Sequence, residues 1–511
     1  MANEDGAPER GWRTSSALVK VGSSSLIALA IGLARGLLYS RALDPASRGM
    51  VQLVLLVAGY VCYLPLAVYF GLEKAIPVLL GQSKREEAGR LERAGVTAVV
   101  ALAGGAGAVM VAYGAWGRRL PDAARVGLAI GAVYLVLSQL VGVHRVVLRS
   151  HLQFGVVAIS TLVEAVTLCV LVVGGAALLG APGAVAGWAV GLGVVGLHLA
   201  FARPLPAFAR PEPGVARQVL KIGLPVMGVA LANTFLRTAD NLVVARRLGM
   251  EALGYYGLAW QLASYLYNAA GAADAVITPR VYRSYGEGAG PEMRRSVMRM
   301  TSAFGTTMPC LAAVGAVAAP LVVRLVLPRY VAAIPPLQVF MFTVVLLAIP
   351  MAMRPVLVAA NRELEYIVWD SLGGLIIAVL VWALIDRDPN VPLVRLALAG
   401  GVGLAFSAIM VTVRGLRELG VSGVRTAVYV LGLLAPLAYG VACVGGARWL
   451  AADLVRTGSA VARDALALVL AGVGSAPLIW VAERQTGVIS AFRSPRGPGA
   501  DAGGPGRPTV S

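Results

Sequence analysis

The sequence is poor in charged residues, and this shortage decides the class of protein. Only 14% of the 511 residues are Asp, Glu, Lys or Arg, whereas 58% are hydrophobic and the mean hydropathy is +0.77. A soluble globular domain has about 25% charged and about 45–50% apolar residues. The composition therefore excludes an ordinary soluble protein and predicts a polytopic membrane protein.

Acidic residues are the scarcer charges. The 26 Asp and Glu residues face 44 Lys and Arg residues, which gives a formal net charge of +18. In a soluble protein such an excess would suggest nucleic-acid binding. Here the arginines lie mostly in short loops between apolar runs, where the positive-inside bias and anionic lipid head groups explain them. We therefore expect membrane lipids, and no nucleic acid, as partners.

Cysteine and histidine are rare, and no glycine is followed by a lysine. The four cysteines are scattered within apolar segments, which is typical of small buried side chains and not of a disulfide or metal framework. The three histidines lack the spacing of zinc ligands. Without a Gly-Lys pair there is no Walker A motif. The sequence thus predicts no metal site, no cofactor and no internal ATP-driven engine.

Apolar runs of about 17–25 residues predict transmembrane helices. Prolines interrupt the ninth and tenth runs between Pro320 and Pro336, which predicts a re-entrant turn or a broken helix there. Polar residues at 1–14 and 493–511 predict disordered tails. The fourteen predicted helices cover residues 18–40, 51–72, 94–113, 124–147, 155–179, 183–202, 218–245, 252–278, 297–318, 332–353, 364–385, 393–413, 426–447 and 464–482.

An even number of spans places both termini on the same side of the membrane. The loops on that side carry about twice as many Lys and Arg residues as the opposite loops, so the positive-inside rule places both termini in the cytoplasm.

Two parts of the chain repeat one pattern. An arginine, a leucine and a later glycine recur at Arg41 and Gly49 and again at Arg246 and Gly254, and each copy is followed by a helix with a tyrosine, Tyr60 or Tyr265. Six helices separate the copies, so both enter the membrane from the same side, as in transporters with parallel repeats. We predict an N-lobe at 15–203, a C-lobe at 217–415 and two appended helices at 426–482.

The seventh predicted helix carries an unusual polar stripe. Asn233, Arg237, Asp240 and Asn241 are spaced at three to four residues, which places them on one side of a helix. An ionised side chain facing lipid costs at least ~2.5–3.5 kcal/mol. The stripe must therefore face the protein interior or a wet cavity. Arg237 and Asp240 could alternatively form a neutralising pair within the helix.

Four segments around this helix form a recognisable pattern: Gly223-Leu224-Pro225, Thr238-Ala239-Asp240-Asn241-Leu242-Val243-Val244-Ala245, Leu248-Gly249-Met250-Glu251-Ala252-Leu253-Gly254-Tyr255-Tyr256 and Pro279-Arg280-Val281. This pattern resembles the polysaccharide flippases of the multidrug/oligosaccharidyl-lipid/polysaccharide exporter superfamily. The resemblance implies an all-α, two-lobed transporter of about fourteen helices in the bacterial inner membrane, which moves a polyprenyl-diphosphate-linked oligosaccharide from the inner to the outer leaflet. Glycan polymerases and glycosyltransferases are further implied partners.

A lipid-linked glycan has an anionic diphosphate and a polar head, and therefore calls for a cationic, hydrogen-bonding cleft. Guanidinium groups are suited to phosphate. We expect the first helices of both repeats to line this cleft, with Arg237 as the second-lobe counterpart of Arg35. The remaining candidates for the cleft are Lys20 on the first helix and Gln261, Tyr265 and Asn268 on the eighth.

Three alternatives remain open at this stage. Glu164 and Asp370 could carry a coupling ion, as a cation-coupled multidrug exporter of the same superfamily would require. An enzyme, such as a membrane glycosyltransferase or polymerase, is disfavoured because the outward loops are too short for a catalytic domain. A scaffold that recruits glycan enzymes through its basic loops would tolerate the loss of the arginines within the spans.

Overall fold

A computed structural model describes residues 7–116, 122–204, 213–286, 290–455 and 459–486. Within these ranges the chain is helical and contains no β-strand. In lipid every backbone N–H and C=O group must be satisfied within the protein, and a helix does this within one segment. The long apolar runs therefore fold as helices.

The helices follow the predicted segments. The first lobe contains α1 (Ala7–Ala42), α2 (Pro45–Val61), α3 (Tyr63–Gly81), α4 (Arg85–Trp116), α5 (Asp122–Ser150) and α6 (Phe154–Ala202). The second contains α7 (Pro213–Arg247), α8 (Gly249–Gly286), α9 (Pro291–Val326), α10 (Ile334–Ala348), α11 (Arg354–Ala359), α12 (Glu363–Arg387) and α13 (Leu393–Glu418). The chain continues with α14 (Gly423–Leu454), α15 (Ala460–Gly474) and α16 (Ala476–Thr486).

The long helix α6 is a hairpin of two spans. Gly180 has a non-helical backbone with a φ of 65° and a ψ of −143°. Beyond it the chain runs back along itself: a Cβ at Gly175 would lie 2.1 Å from the carbonyl oxygen of Gly183, and one at Gly187 would lie 2.3 Å from that of Leu171. Only a glycine allows such an approach and such a φ. The two arms correspond to the fifth and sixth predicted spans.

Two other spans are broken. The second predicted span bends by 56° between α2 and α3. The tenth consists of α10, a 3₁₀ turn at Ile349–Ala352 and the short α11. The prolines at 320–336 predicted a re-entrant turn or a broken helix in the ninth or tenth span. Helix α9 continues through Pro309 and Pro320 as one helix, so the break lies in the tenth span.

The described helices form the predicted fold class. Eleven of them are long and apolar enough to cross a membrane, or twelve when the bent α2–α3 pair counts as one span. Helices α1 to α6 pack on one another as the first lobe, α7 to α13 form the second, and α14 and α15 pack on α9. The prediction of an all-α, two-lobed membrane protein with two appended spans is confirmed.

The predicted tails lie largely outside this description. Helix α1 begins at Ala7, inside the stretch 1–14 for which a disordered tail is predicted, and Pro8 sits in its first turn, where proline is tolerated. Residues 493–511 lie outside the described part of the chain.

Candidate functional site

The lobes meet where α3 crosses α7 and where α2 crosses α8, and the second crossing joins the two repeats. A Cβ at Gly49 would lie 1.7 Å from the carbonyl oxygen of Met250, and a Cβ at Gly254 would lie 1.9 Å from that of Pro45. The two contacts are reciprocal, because Gly49 corresponds to Gly254 and Pro45 to Met250 in the sequence repeat. Glycine is needed on both sides because the backbones themselves are in contact. We call this contact the glycine seam.

The repeated tyrosines also reach across the lobes. The Tyr265 hydroxyl donates a hydrogen bond of 2.6 Å to the carbonyl oxygen of Gly32, and the Tyr60 hydroxyl lies 2.7 Å from the Thr238 hydroxyl. The register set by the glycine seam pairs Arg35 with Asp240. Arg237 is therefore not the repeat counterpart of Arg35, contrary to the expectation from the sequence. The two arginines lie on equivalent helices at different heights.

A buried arginine clasps the lobes together beside the glycine seam. Arg48 is fully buried and donates hydrogen bonds to the Ser40 hydroxyl at 2.9 Å, the Gly254 carbonyl at 3.3 Å and the Gln261 side-chain oxygen at 2.5 Å. Tyr39 donates to the same oxygen of Gln261 at 3.1 Å. No carboxylate of the described chain pairs with Arg48. We call this group the Arg48 clasp, and it places Gln261 in the interface between the lobes.

Replacing Gln261 by leucine is expected to loosen this clasp. The substitution removes the acceptor of Arg48 and leaves part of a buried guanidinium without a partner, which costs about 1–3 kcal/mol. Thermal unfolding of the purified protein in detergent should show a lower midpoint for Gln261→Leu. Gln261→Glu should keep or raise the midpoint, because a carboxylate then faces the desolvated cation. Asn268→Leu, which also replaces an amide by leucine but on an exposed residue of α8, is the control for stability. If both leucine variants lower the unfolding midpoint equally, the Arg48 clasp does not stabilise the protein.

The second lobe holds a pair of arginines around one tyrosine. The Arg237 guanidinium carbon lies 4.8 Å from the centre of the Tyr267 ring, and Arg354 donates to the Tyr267 hydroxyl at 3.2 Å. The Nε atoms of both arginines are buried without a hydrogen-bond partner in the described structure. Arg354 also lies 5.7 Å from the Tyr366 ring. Cations stacked on aromatic rings keep their charge without a carboxylate. We call Arg237, Arg354 and Tyr267 the arginine pair.

Asp370 belongs to the wall behind the arginine pair. Its carboxylate is fully buried and accepts hydrogen bonds from the Asn233 amide at 3.2 Å and from the Ser407 hydroxyl at 2.5 Å. Arg354 lies within electrostatic range of it. Asn233 and Asp370, which the sequence analysis assigned to different roles, are thus brought together.

Asp240 and Asn241 lie inside the second lobe. Asp240 accepts a hydrogen bond of 2.7 Å from the Tyr256 hydroxyl and bonds of 2.7 and 2.9 Å from the backbone and side chain of Asn241. Both residues are buried. The alternative of an intrahelical pair between Arg237 and Asp240 is wrong in this structure, because the carboxylate faces α8 and its own neighbour.

Three other candidates differ in their surroundings. Arg35 is half-buried, its Nε atom is buried without a partner in the described ranges, and its guanidinium lies 5.9 Å from the Trp188 ring. Asn268 is exposed on α8. The side chain of Lys20 lies outside the described residues.

Glu164 is paired within the first lobe. Its carboxylate lies 2.6 Å from the Arg145 guanidinium, which also donates to the Ser160 hydroxyl at 3.1 Å. An acid that is neutralised in this way has less affinity for an incoming cation than an unpaired one.

The sequence matches a known protein family. A sequence model of the family described as polysaccharide biosynthesis protein matches residues 38–334, which is more than half of the chain and includes the glycine seam, the Arg48 clasp and Arg237. The protein belongs to this family of polysaccharide biosynthesis proteins. No curated protein matches it by sequence.

Solved structures show that this family member has the fold of the MOP superfamily. The lipid II flippase MurJ in an inward closed conformation aligns with a TM-score of 0.68 and 10% identity, over 91% of this chain and 99% of MurJ. An inward-facing multidrug resistance MATE family transporter aligns with a TM-score of 0.65 and 14% identity, over 79% and 98%. A MOP superfamily transporter from Pyrococcus furiosus gives 0.57 and 16%, over 79% and 95%. At these identities the likeness establishes the fold.

Arg48 and Arg354 are functional candidates that the sequence did not predict. Arg48 precedes Gly49 of the repeat and reads as a loop residue, although it is the most voluminous fully buried side chain of the described chain. Arg354 lies between Pro350 and Pro355 at the break of the tenth span. A charged residue flanked by prolines in an apolar run is the signal that could have revealed it.

Proposed function

We propose that this polysaccharide biosynthesis protein moves a polyprenyl-diphosphate-linked oligosaccharide from the inner to the outer leaflet by alternating access. The observation that carries the proposal is the arginine pair. Two guanidinium groups meet at Tyr267, and no carboxylate in the described ranges forms a hydrogen bond with Arg237. A half-buried cation without a hydrogen-bonded carboxylate, such as Arg237, favours an anionic ligand.

A diphosphate matches this chemistry. Guanidinium groups bind phosphate oxygens through two parallel hydrogen bonds, and the buried Nε atoms of Arg237 and Arg354 have no hydrogen-bond partner within the described residues. Arg35 from the first lobe offers a third donor of the same kind. Exposed Asn268 supplies an amide for a sugar hydroxyl. These groups come from both lobes, so a movement of the lobes relative to each other would change access to the site.

The closed seam supports alternating access. The glycine seam and the Arg48 clasp close the lobes at the end where α1 and α7 finish and α2 and α8 begin. We infer that both termini lie on the cytoplasmic side of a bacterial inner membrane. The end closed by the glycine seam then faces outward. Rocking of the lobes would open the seam and release the glycan to the outer leaflet, where polymerases or glycosyltransferases could act on it.

A cation-coupled multidrug exporter would have the same fold. It needs an acidic site that is open to a cation, and the candidate Glu164 instead bonds Arg145 at 2.6 Å. The arginine pair would also repel a cationic drug. We therefore favour the anionic substrate.

Reconstitution tests the proposal. Proteoliposomes that contain the purified protein and a polyprenyl-diphosphate-linked oligosaccharide in the inner leaflet should expose the glycan to an external lectin faster than protein-free liposomes. A polyprenyl-linked glycan without phosphate should be exposed more slowly, because the arginines then lack their ligand. The proposal fails if the glycan stays inside while the same liposomes extrude small cationic dyes under an ion gradient.

A further inference from the structure

A basic cavity lies far from the lobe interface, between α9 and the appended helices α14 and α15. It is open to the surface, its volume is about 160 Å³, and its charged lining residues are Arg324, Arg448, Arg463 and Asp464, of which Arg448 and Arg463 are exposed. A single water molecule needs only about 10–15 Å³. The cavity can therefore hold a tetrahedral oxyanion, and its lining is cationic because three arginines face one carboxylate.

Each arginine comes from a different helix. Arg324 ends α9 and forms an ion pair of 2.9 Å with Asp464 of α15, Arg448 lies on α14 and donates to Gln338 of α10, and Arg463 lies on α15. Helix α15 also begins here: the Ser459 side chain caps it, and Ala460 of its first turn lines the cavity. The positive end of a helix adds to the attraction for an anion.

Below the cavity the helices pack through small side chains. Helix α9 contributes Ala313, Ala316 and Val317, and the appended helices contribute small side chains such as Ala447 and Ala467. Helices in membranes associate through close packing of small residues and through polar contacts, because burial of apolar surface drives little association in lipid. A ligand that joins three arginines on three helices would therefore hold the appended pair to the second lobe.

The surroundings of the cavity are suited to a lipid. Trp449, Leu450 and Leu454 lie next to it on α14 and are 69%, 43% and 67% exposed. Tryptophan is enriched at the level of the lipid head groups. A molecule whose phosphate enters the cavity would place its acyl chains along these apolar residues.

We propose that this cavity binds a phosphate group, supplied by the head group of an anionic phospholipid at the membrane face where α9 and α14 end. Guanidinium groups suit phosphate oxygens, and the flanking tryptophan and leucines suit acyl chains. The site is separate from the arginine pair and does not depend on the glycan. Binding to the folded protein stabilises it by mass action.

Lipid binding in nanodiscs tests this site. Phosphatidylglycerol should raise the thermal unfolding midpoint above that in phosphatidylcholine, and native mass spectrometry should detect retained phosphatidylglycerol. The double variant Arg448→Gln/Arg463→Gln should bind phosphatidylglycerol at least ~10-fold more weakly, since charged hydrogen bonds are lost. It leaves the Arg324–Asp464 pair intact, and an unchanged midpoint in phosphatidylcholine shows that it folds. Arg448→Lys/Arg463→Lys should retain most of the stabilisation, because the charge is kept.

Arg425→Gln, at the opposite end of α14, is the matched control and should bind phosphatidylglycerol as the wild type does. Inorganic phosphate, added to the protein in detergent, distinguishes the two sources of the anion. If it stabilises the wild type but not the double glutamine variant, the site takes a free oxyanion as well as a head group. Unchanged phosphatidylglycerol binding by the double variant, or an equal loss in Arg425→Gln, would overturn the proposal.

Discussion

Replacing Gly254 by valine is expected to stop flipping almost completely. A Cβ at this position would lie 1.9 Å from the carbonyl oxygen of Pro45, on the backbone of the other lobe. Extra methyl groups in a packed core cost about 1–3 kcal/mol when side chains can yield. Here the obstacle is backbone, so we expect more than ~3 kcal/mol against the closed seam, which shifts the equilibrium by at least ~100-fold. A transporter that cannot close this end cannot complete its cycle.

Two measurements should be made on this variant. Lectin-accessible glycan in proteoliposomes reports flipping, and the labelling rate of a cysteine introduced at Met50, beside the seam, reports opening. Flipping should fall while labelling rises. Gly104→Val is the matched control, because a Cβ at Gly104 meets no atom within 4 Å. A folded Gly254→Val protein that flips at the wild-type rate would show that the seam does not move in transport.

The second large effect is expected at the arginine pair. Arg237→Gln should weaken the apparent affinity for the diphosphate-linked glycan by about 10–100-fold, because a hydrogen bond to a charged group contributes ~1.5–3 kcal/mol. Arg237→Lys should weaken this affinity less, since the charge remains although the two parallel hydrogen bonds of a guanidinium are lost. Arg354→Gln should resemble Arg237→Gln, because both guanidinium groups meet at Tyr267.

The control for this effect lies on the same helix. Arg247 pairs with Asp386 at 2.8 Å and stacks on Trp382 at 4.2 Å, at the end of α7 away from the arginine pair. Arg247→Gln should keep the wild-type dependence of flipping rate on glycan concentration. If Arg237→Gln and Arg247→Gln weaken the apparent affinity for the glycan equally, compared at equal amounts of folded protein, the arginine pair does not bind the substrate.

The sequence predicted the fold better than it predicted the site. The repeat of Arg41 and Gly49 at Arg246 and Gly254 correctly indicated two related lobes, and in the structure the two glycines bring the backbones of α2 and α8 into contact across the lobes. A repeated pattern of residues can be recognised from the sequence alone, because it depends only on positions along the chain. The clasp beside it was missed, because nothing local distinguishes a buried Arg48 from an exposed loop arginine.

The roles of the polar residues on α7 depended on tertiary structure. Arg237 and Asp240 are three positions apart, which places their side chains about 60° apart around the helix. That angle is wide enough for Arg237 to stack on Tyr267 while Asp240 bonds Tyr256 in the lobe interior. Gln261 and Tyr265, predicted to line the cleft, join the lobes through hydrogen bonds with Arg48 and with the Gly32 carbonyl.

Composition alone determined that this chain is a helical membrane protein, because lipid requires each backbone segment to satisfy its own hydrogen bonds. The internal repeat indicated the two lobes. Which partners the buried charges have was decided only by the packing of helices distant in sequence. Glu164 is bonded to Arg145 and Asp370 to Ser407, whereas Arg237 and Arg354 meet at Tyr267. Partners for a buried charge come from whichever helix faces it, and local sequence does not specify that neighbour.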